Sequence, residues 1–112
     1  MTADPSPGTR VVDVCAVDEL PDGEVAVVED GAAGRIAVFA VDGELFGLAD
    51  ECSHQQAWLS DGFVEGCAVE CPLHSSLFDL RTGVPSGPPA RQPVRTFAAA
   101  VQGDRVVVHV PQ

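Results

Sequence analysis

The chain has 112 residues, with 17 acidic and six basic side chains and a formal charge of −11 at neutral pH. This length suits one domain with an apolar core and leaves no room for a second. So large an acidic excess argues against nucleic acid or an anionic membrane surface as a partner, and no apolar run approaches membrane-spanning length.

The first nine residues, MTADPSPGT, are rich in Pro, Ser and Gly and have no periodicity. This composition predicts a disordered tail over 1–9, ahead of a domain over 10–112. No apolar stretch follows a basic end, so the sequence carries no signal-peptide pattern. We therefore expect a soluble, cytoplasmic protein.

Short runs rich in β-branched residues come next, separated by turns that contain Gly, Pro and Asp. They predict β-strands, and Asp42-Gly43 predicts a tight hairpin between two of them. No segment has helical periodicity over the length that a stable helix needs, so the sequence predicts an all-β protein. The predicted strands cover residues 10–17, 24–29, 35–41, 44–49, 63–65, 68–70, 77–80, 94–102 and 105–110.

The segment over 84–93, VPSGPPARQP, has four prolines in ten residues. Because proline has no backbone N–H, this composition predicts a stiff loop without ladder hydrogen bonds. From composition alone the segment is a connector back to the last strands.

Two pairs of metal-binding side chains lie in the middle of the chain: Cys52 with His54, and Cys71 with His74. Two thiolates and two imidazoles in this C-x-H-x16-C-x2-H pattern predict a metal site. A zinc site of this composition usually has both cysteines in one pair and both histidines in the other, whereas each pair here is mixed. Mixed pairs suit a binuclear [2Fe–2S] cluster, with one iron on the two cysteines and the other on the two histidines. A zinc-bound or metal-free interaction module is the alternative.

The same stretch resembles the Rieske ferredoxin family, through LSDG after the first pair and the CPLH and FDLRTG segments at and after the second. Upstream, VCAVDELPDGEVAVVEDG and IAVFAVDGELFGLAD follow in the family's order, so the resemblance spans about residues 10–110. It implies one [2Fe–2S] cluster per chain and a Rieske-type fold of antiparallel sheets. In that fold a small cluster-binding subdomain, about residues 50–83, is inserted into a basal β domain. It also implies that the loop over 84–93 folds over the cluster.

Several positions differ from the high-potential respiratory Rieske proteins. Those proteins tie their two ligand loops with a disulfide, but the matching residues here are Ala57 and Leu73. They also use a serine and a tyrosine as donors to cluster sulfurs; Ser76 matches the serine, and Phe78 replaces the tyrosine. Ser75 stands where the family usually has glycine. We therefore expect a reduction potential toward the low end of the Rieske range, raised somewhat by Ser76 as a donor.

Four further residues bear on the class of protein. Cys15 and Cys67 lie in apolar, strand-like surroundings, which favours free, partly buried thiols over a disulfide. His109 is the one histidine outside the two pairs, and it cannot by itself build the mononuclear iron site of an oxygenase. The sequence thus predicts an electron carrier and not an enzyme. Trp58 lies close to the first pair, either as an exposed docking residue or as a ring under its own loop.

Within the family, the chain resembles the ferredoxin components of bacterial aromatic-ring dioxygenase systems. This resemblance implies transient docking to a flavoprotein ferredoxin reductase, which supplies electrons, and to a terminal non-heme iron oxygenase, which receives them. We expect a monomer whose acidic surface steers it toward basic partners. A small subunit of an assimilatory nitrite reductase and a housekeeping ferredoxin of iron–sulfur metabolism are the alternatives.

Overall fold

Ten β-strands and two short 3₁₀ turns make up the computed structural model, which describes residues 9–52, 57–72, 76–87, 90 and 92–111. No α-helix occurs in those ranges. The 3₁₀ turns are Val17–Glu19 and Leu59–Asp61. The strands are β1 Thr9–Ala16, β2 Val25–Asp30, β3 Gly34–Val41, β4 Glu44–Ala49, β5 Phe63–Glu65, β6 Ala68–Glu70, β7 Leu77–Asp79, β8 Thr96–Phe97, β9 Ala99–Gln102 and β10 Arg105–Pro111.

The strands form three antiparallel sheets. The terminal sheet has the order β1-β10-β9, the central sheet β2-β3-β4-β8, and the arm sheet β5-β6-β7. The prediction of an all-β protein is confirmed, and the predicted strands up to residue 80 match the observed ones within a few residues. Short β-branched and apolar runs separated by turn residues were therefore a sufficient signal for these strands.

Strand β3 separates two apolar cores because its side chains alternate between the two faces of the central sheet. Ile36 and Val38 pack with side chains of the terminal sheet, such as Val106 and Val108. Phe39 points to the other face and packs in a core that reaches the arm sheet. The central sheet is therefore the common wall on which the rest of the molecule is built.

The prediction of one strand over 94–102 is wrong. Thr96 pairs with Leu48 of the central sheet, whereas Ala99 pairs with Val108 of the terminal sheet. Between them the chain changes sheets at Ala98, whose carbonyl accepts a hydrogen bond from the His109 N–H over 2.9 Å. The apolar pattern runs continuously through the change, so it gave no sign of the break.

The prediction that the segment over 84–93 has no ladder hydrogen bonds is also wrong for its first residues. Val84 accepts a hydrogen bond from the Asp79 N–H at 3.0 Å, and the Ser86 N–H donates to Leu77 at 2.8 Å. Neither bond needs a proline N–H, so this short piece can extend the arm sheet beside β7. Pro88, Pro89 and Arg91 lie outside the described residues.

All four cysteines lie in the described part of the chain, and no disulfide joins any of them. Cys15 and Cys67 are partly buried, as the sequence predicts. Burial raises the pKa of the Cys15 thiol, and the nearby carboxylate of Glu19 adds to the effect. In the described ranges no helix combines the length and the apolar character that crossing a bilayer requires.

Candidate metal centre

The first predicted ligand pair lies in a loop that the backbone closes like a hairpin. We call residues 50–59 the first arm. The Cys52 N–H donates to the Ala57 carbonyl at 2.8 Å, and the Leu59 N–H donates to the Asp50 carbonyl at 2.6 Å. Between these two bonds, Glu51 and Trp58 form an antiparallel bridge. Cys52 thus lies at the closed base of the arm, while His54 falls within 53–56, outside the described residues.

A fully buried carboxylate holds this base in position. Asp50 has no solvent exposure, and its carboxylate accepts hydrogen bonds from Arg35 Nε at 2.7 Å and from the N–H and hydroxyl of Ser60 at 2.7 and 2.8 Å. Its own N–H donates to the Arg35 carbonyl at 2.9 Å. Because every one of these groups is bonded, the charge is tolerated in the core. The network joins β3 to both ends of the first arm.

Sequence reasoning missed this network. Its only signal is Asp50 itself, a carboxylate that follows the apolar run LFGLA two residues before Cys52. A charged residue at the end of a buried strand needs partners, but the sequence does not identify Arg35 and Ser60 as those partners.

The second predicted ligand pair lies in a similar loop between β6 and β7. We call residues 70–77 the second arm. Glu70 and Leu77 pair across the two strands, and the Cys71 N–H donates to the Ser76 carbonyl at 3.1 Å. Cys71 again lies at the closed base, while His74 falls within 73–75, outside the described residues. The two arms therefore have the same plan, with the cysteine first and the histidine later in the loop.

Close packing brings the two arms together. Gly62, just beyond the first arm, lies so near Glu70 that an added Cβ would overlap the Glu70 carbonyl oxygen. Cys52 and Cys71 are 4% and 1% exposed and belong to one apolar core, together with Leu59 and Phe78. A glycine at position 62 is thus needed for the contact, and the two buried thiols share one apolar environment.

Ser76 links the second arm to the proline-rich segment. Its hydroxyl donates to the Gly87 carbonyl and accepts from the Ala90 N–H, both at 3.1 Å, and the residue is 1% exposed. The resemblance implies that this hydroxyl donates to a cluster sulfur, and in the described structure the Gly87 carbonyl oxygen is an acceptor within its reach. Ser76 thus joins the second arm to Gly87 and Ala90.

Two residues that the sequence left open have clear positions. Trp58 is 40% exposed, and its ring lies over the Arg35 guanidinium with 4.4 Å to the ring centroid. The Trp58 ring is therefore partly exposed to solvent and also packs against the Arg35 guanidinium. His109 lies in β10 of the terminal sheet, where its Nδ1 is the one buried side-chain nitrogen or oxygen of the described residues that has no hydrogen-bond partner.

The donor set and its surroundings fit a [2Fe–2S] cluster. Soft thiolates at Cys52 and Cys71 are buried in one core, no disulfide consumes them, and each arm carries a histidine after its cysteine. Cys15 lies in β1 and packs in the other core. Cys67 lies in the turn between β5 and β6 and packs against the core that contains Cys52 and Cys71.

Comparison with known proteins agrees with this reading. The Rieske [2Fe-2S] domain model matches residues 10–98. The ferredoxin subunit of 3-phenylpropionate/cinnamic acid dioxygenase from Photorhabdus laumondii is 43% identical over 88% of this chain and 93% of its own. The ferredoxin subunit of anthranilate 1,2-dioxygenase from Burkholderia cepacia is 44% identical over 85% of this chain and 87% of its own.

Solved structures give the same result. The ferredoxin of Sphingomonas yanoikuyae B1 superimposes with a TM-score of 0.83 and 32% identity, over 91% of this chain and all of that one. A nitrite reductase small subunit from Mycobacterium tuberculosis has a TM-score of 0.82 but 23% identity, over 93% of this chain and 97% of that one, which shows a shared fold alone.

The chain therefore belongs to the Rieske [2Fe-2S] domain family, and its cofactor is a [2Fe–2S] cluster. Within that family it is a ferredoxin of the kind found in aromatic-ring dioxygenase systems, an electron carrier and not a catalytic enzyme.

Proposed function

We propose that Cys52, His54, Cys71 and His74 hold one [2Fe–2S] cluster, and that the chain carries single electrons from a flavoprotein reductase to a terminal non-heme iron oxygenase. The observation that carries the proposal is the pair of similarly closed arms, each with a buried cysteine at its base, above one apolar core. The bound cluster supplies reversible uptake of one electron. The cluster-binding subdomain comprises about residues 50–83, and the rest of 10–112 forms the basal domain.

Hydrogen bonds hold the bases of both arms in place, and both cysteines there are buried. Asp50, Arg35 and Ser60 hold the base of the first arm, and Ser76 holds the proline-rich segment against the second. A rigid site reduces the reorganisation that accompanies a change of one charge, and exclusion of water lowers the local dielectric. Both effects suit a carrier that exchanges electrons without other chemistry.

The partners come from the relatives. One solved neighbour, 32% identical with a TM-score of 0.81, is a complex of reduced oxygenase and oxidised ferredoxin in carbazole 1,9a-dioxygenase, matched over 88% of this chain and 91% of that one. By analogy the chain is a soluble, cytoplasmic monomer that docks transiently with its reductase and its oxygenase. The formal charge of −11 favours partners with basic docking faces.

Substitution with matched controls tests the ligand set. Cys52→Ser, His54→Gln, Cys71→Ser and His74→Gln should each purify with much less iron and sulfide than the parent. The controls Cys15→Ser, Cys67→Ser and His109→Gln should keep the full content, because none of these residues belongs to either arm. Full iron content in any of the first four variants would remove that residue from the proposed set.

Reconstitution tests the function. Reduced protein is mixed with the terminal oxygenase of the anthranilate or the 3-phenylpropionate/cinnamic acid system, and oxidation of the ferredoxin is followed by stopped flow. We expect rapid oxidation by at least one of them and product formation once a flavoprotein reductase and NADH are added. A protein that holds its cluster but reduces neither oxygenase would contradict the proposal. Tight binding to a nitrite reductase on purification would then favour the nitrite reductase alternative.

A further inference from the structure

We infer that Trp58, Glu51 and Asp61 form the docking site for the oxidising partner, a protein that presents basic side chains around an apolar pocket. The inference rests on the proposed function, since it concerns the partner that receives the electron. These three residues are defined here as the tryptophan site. All three are exposed, and all three belong to the first arm or to the 3₁₀ turn that follows it.

The indole ring is an exposed aromatic group in a fixed position. Its 40% exposure coexists with support from Arg35, which lies 4.4 Å from the ring centroid. Arg35 is in turn fixed by the buried carboxylate of Asp50 at 2.7 Å. A pre-positioned ring loses little conformational freedom on binding, and tryptophan is among the residues most often found as the energetic centre of an interface.

Two acidic residues lie next to Trp58 in the backbone structure. Glu51 is paired with Trp58 across the antiparallel bridge, which directs both side chains to the same face. Asp61 follows in the 3₁₀ turn, and its N–H donates to the Trp58 carbonyl at 3.0 Å. One acidic residue is thus Trp58's partner across the bridge, and the other follows three residues later in the turn.

These two carboxylates are available to a partner. Four of the five arginines in the described ranges are within ion-pair distance of an acid: Arg10 with Asp30, Arg35 with Asp50 and Glu29, Arg81 with Glu44, and Arg105 with Asp13. None of these pairs involves Glu51 or Asp61. No arginine of the described chain therefore neutralises Glu51 or Asp61. The partner surface that complements them is a basic one.

The tryptophan site is also close to the proposed electron source. Ala57, the residue before Trp58, accepts the hydrogen bond from the N–H of Cys52 at 2.8 Å. One hydrogen bond and one peptide unit thus separate Trp58 from a residue that the proposed function assigns to the cluster. A partner seated on the indole lies against the outside of the first arm.

A comparison of two exposed aromatic residues tests the inference. Phe63 in β5 is 68% exposed, more than Trp58, but no cation supports it in the described structure. Cluster-loaded Trp58→Ala and Phe63→Ala are compared with the parent for their Kd to the anthranilate dioxygenase oxygenase and their rate of electron transfer to it. We expect Trp58→Ala to weaken binding about tenfold or more and Phe63→Ala to change it about twofold or less.

A second pair of variants tests the two carboxylates of the tryptophan site and leaves the indole ring in place. Glu51→Gln/Asp61→Asn is matched by Asp18→Asn/Asp104→Asn, which removes the same charge near the terminal sheet. The first should flatten the decrease in electron-transfer rate between about 20 and 300 mM salt, and the second should leave the slope near that of the parent. Visible spectra and midpoint potentials check that the cluster environment is unchanged in each variant.

The outcomes separate the two proposals. Suppose that the parent reduces the oxygenase but Trp58→Ala binds it like the parent. The tryptophan site is then wrong, and the electron-carrier function stands. The same conclusion follows if Phe63→Ala has a larger effect than Trp58→Ala, or if Asp18→Asn/Asp104→Asn has a larger effect than Glu51→Gln/Asp61→Asn. If the parent reduces neither this oxygenase nor the 3-phenylpropionate/cinnamic acid one, the proposed function fails and the inference falls with it.

Discussion

Asp50 and Ser76 are the two polar residues that the described structure buries almost completely, at 0% and 1% exposure. Each lies beside one of the arms, and each is satisfied by hydrogen bonds that join the arm to a separate segment. Burial of a polar group is unfavourable unless its bonds are made, so such groups usually fix a particular arrangement of the chain. Here the arrangement that they fix is the site itself.

Replacement of Asp50 should destabilise the protein and weaken its hold on iron. In Asp50→Ala, the hydrogen-bond donors of Ser60 and Arg35 lose their acceptor in the core, which should cost about 2 to 3 kcal/mol in the free energy of unfolding. Urea unfolding measures this change, and the rate of iron loss to a chelator measures the effect on the arm.

Glu29→Gln is the matched control for that substitution. It removes the other carboxylate near Arg35, which is 76% exposed and 3.4 Å away, and surface ion pairs of this kind contribute little. An equal loss of stability in Asp50→Ala and Glu29→Gln would show that the stability depends on the ion pairs of Arg35 in general and not on the buried carboxylate of Asp50.

The Ser76→Ala substitution distinguishes two roles for this hydroxyl: bonding to the backbone of Gly87 and Ala90, and donation to a cluster sulfur. Loss of its bonds to Gly87 and Ala90 should lower the free energy of unfolding by about 2 kcal/mol and leave the midpoint potential unchanged. Ser86→Ala, on the same segment but exposed, should change neither quantity. A clear fall in the midpoint potential of Ser76→Ala would instead support donation to a cluster sulfur.

At the scale of elements, an ion pair joins the terminal sheet to the central sheet. Arg10 in β1 forms two bonds with Asp30 at the end of β2, at 2.8 and 2.6 Å. This guanidinium, with help from the N–H groups of Ala33 and Ala32, lowers the pKa of Asp30 to about 2. The unfolded chain has the usual aspartate pKa of about 4, so the folded state binds the proton less tightly.

The pair should therefore contribute stability above about pH 4 and lose it as the pH falls toward about 2. Thermal melts of the parent between pH 5 and 2 should show this loss, and Asp30→Asn should remove that part of the pH dependence. Arg10→Gln should reduce it in the same window. A parent and an Asp30→Asn variant with identical slopes would contradict the assignment.

Elements with local signals could be predicted from the sequence, and elements that depend on distant partners could not. The Asp42-Gly43 hairpin is set by neighbouring residues, and the structure pairs Val41 with Glu44 as expected. The division of 94–102 into β8 and β9 depends on which sheet offers a free edge, which local alternation cannot report. The mixed ligand pairs revealed the site, but the partners of Asp50 come from β3 and from beyond the first arm.

At the scale of the whole molecule, the two apolar cores have different roles: one joins two sheets, and the other contains the candidate cysteine ligands. The core between the terminal and central sheets contains Ile36 and Val108, while the core between the central sheet and the arms contains Phe39 and both candidate cysteine ligands. Rigid sheets thus carry the arms, and the surface outside them is strongly acidic. This is the organisation expected of a carrier that presents one redox site to several partners in turn.

The voltammetric midpoint potential, at neutral pH and on protein purified without air, tests the proposed Rieske cluster most directly. Two neutral imidazoles in place of two thiolates make the cluster easier to reduce, so we expect a one-electron wave toward the low end of the roughly −150 to +300 mV Rieske range. A wave near the roughly −400 mV of plant-type ferredoxins would contradict the mixed ligand set. A colourless protein with zinc and no wave would contradict both the cluster and the electron-carrier function.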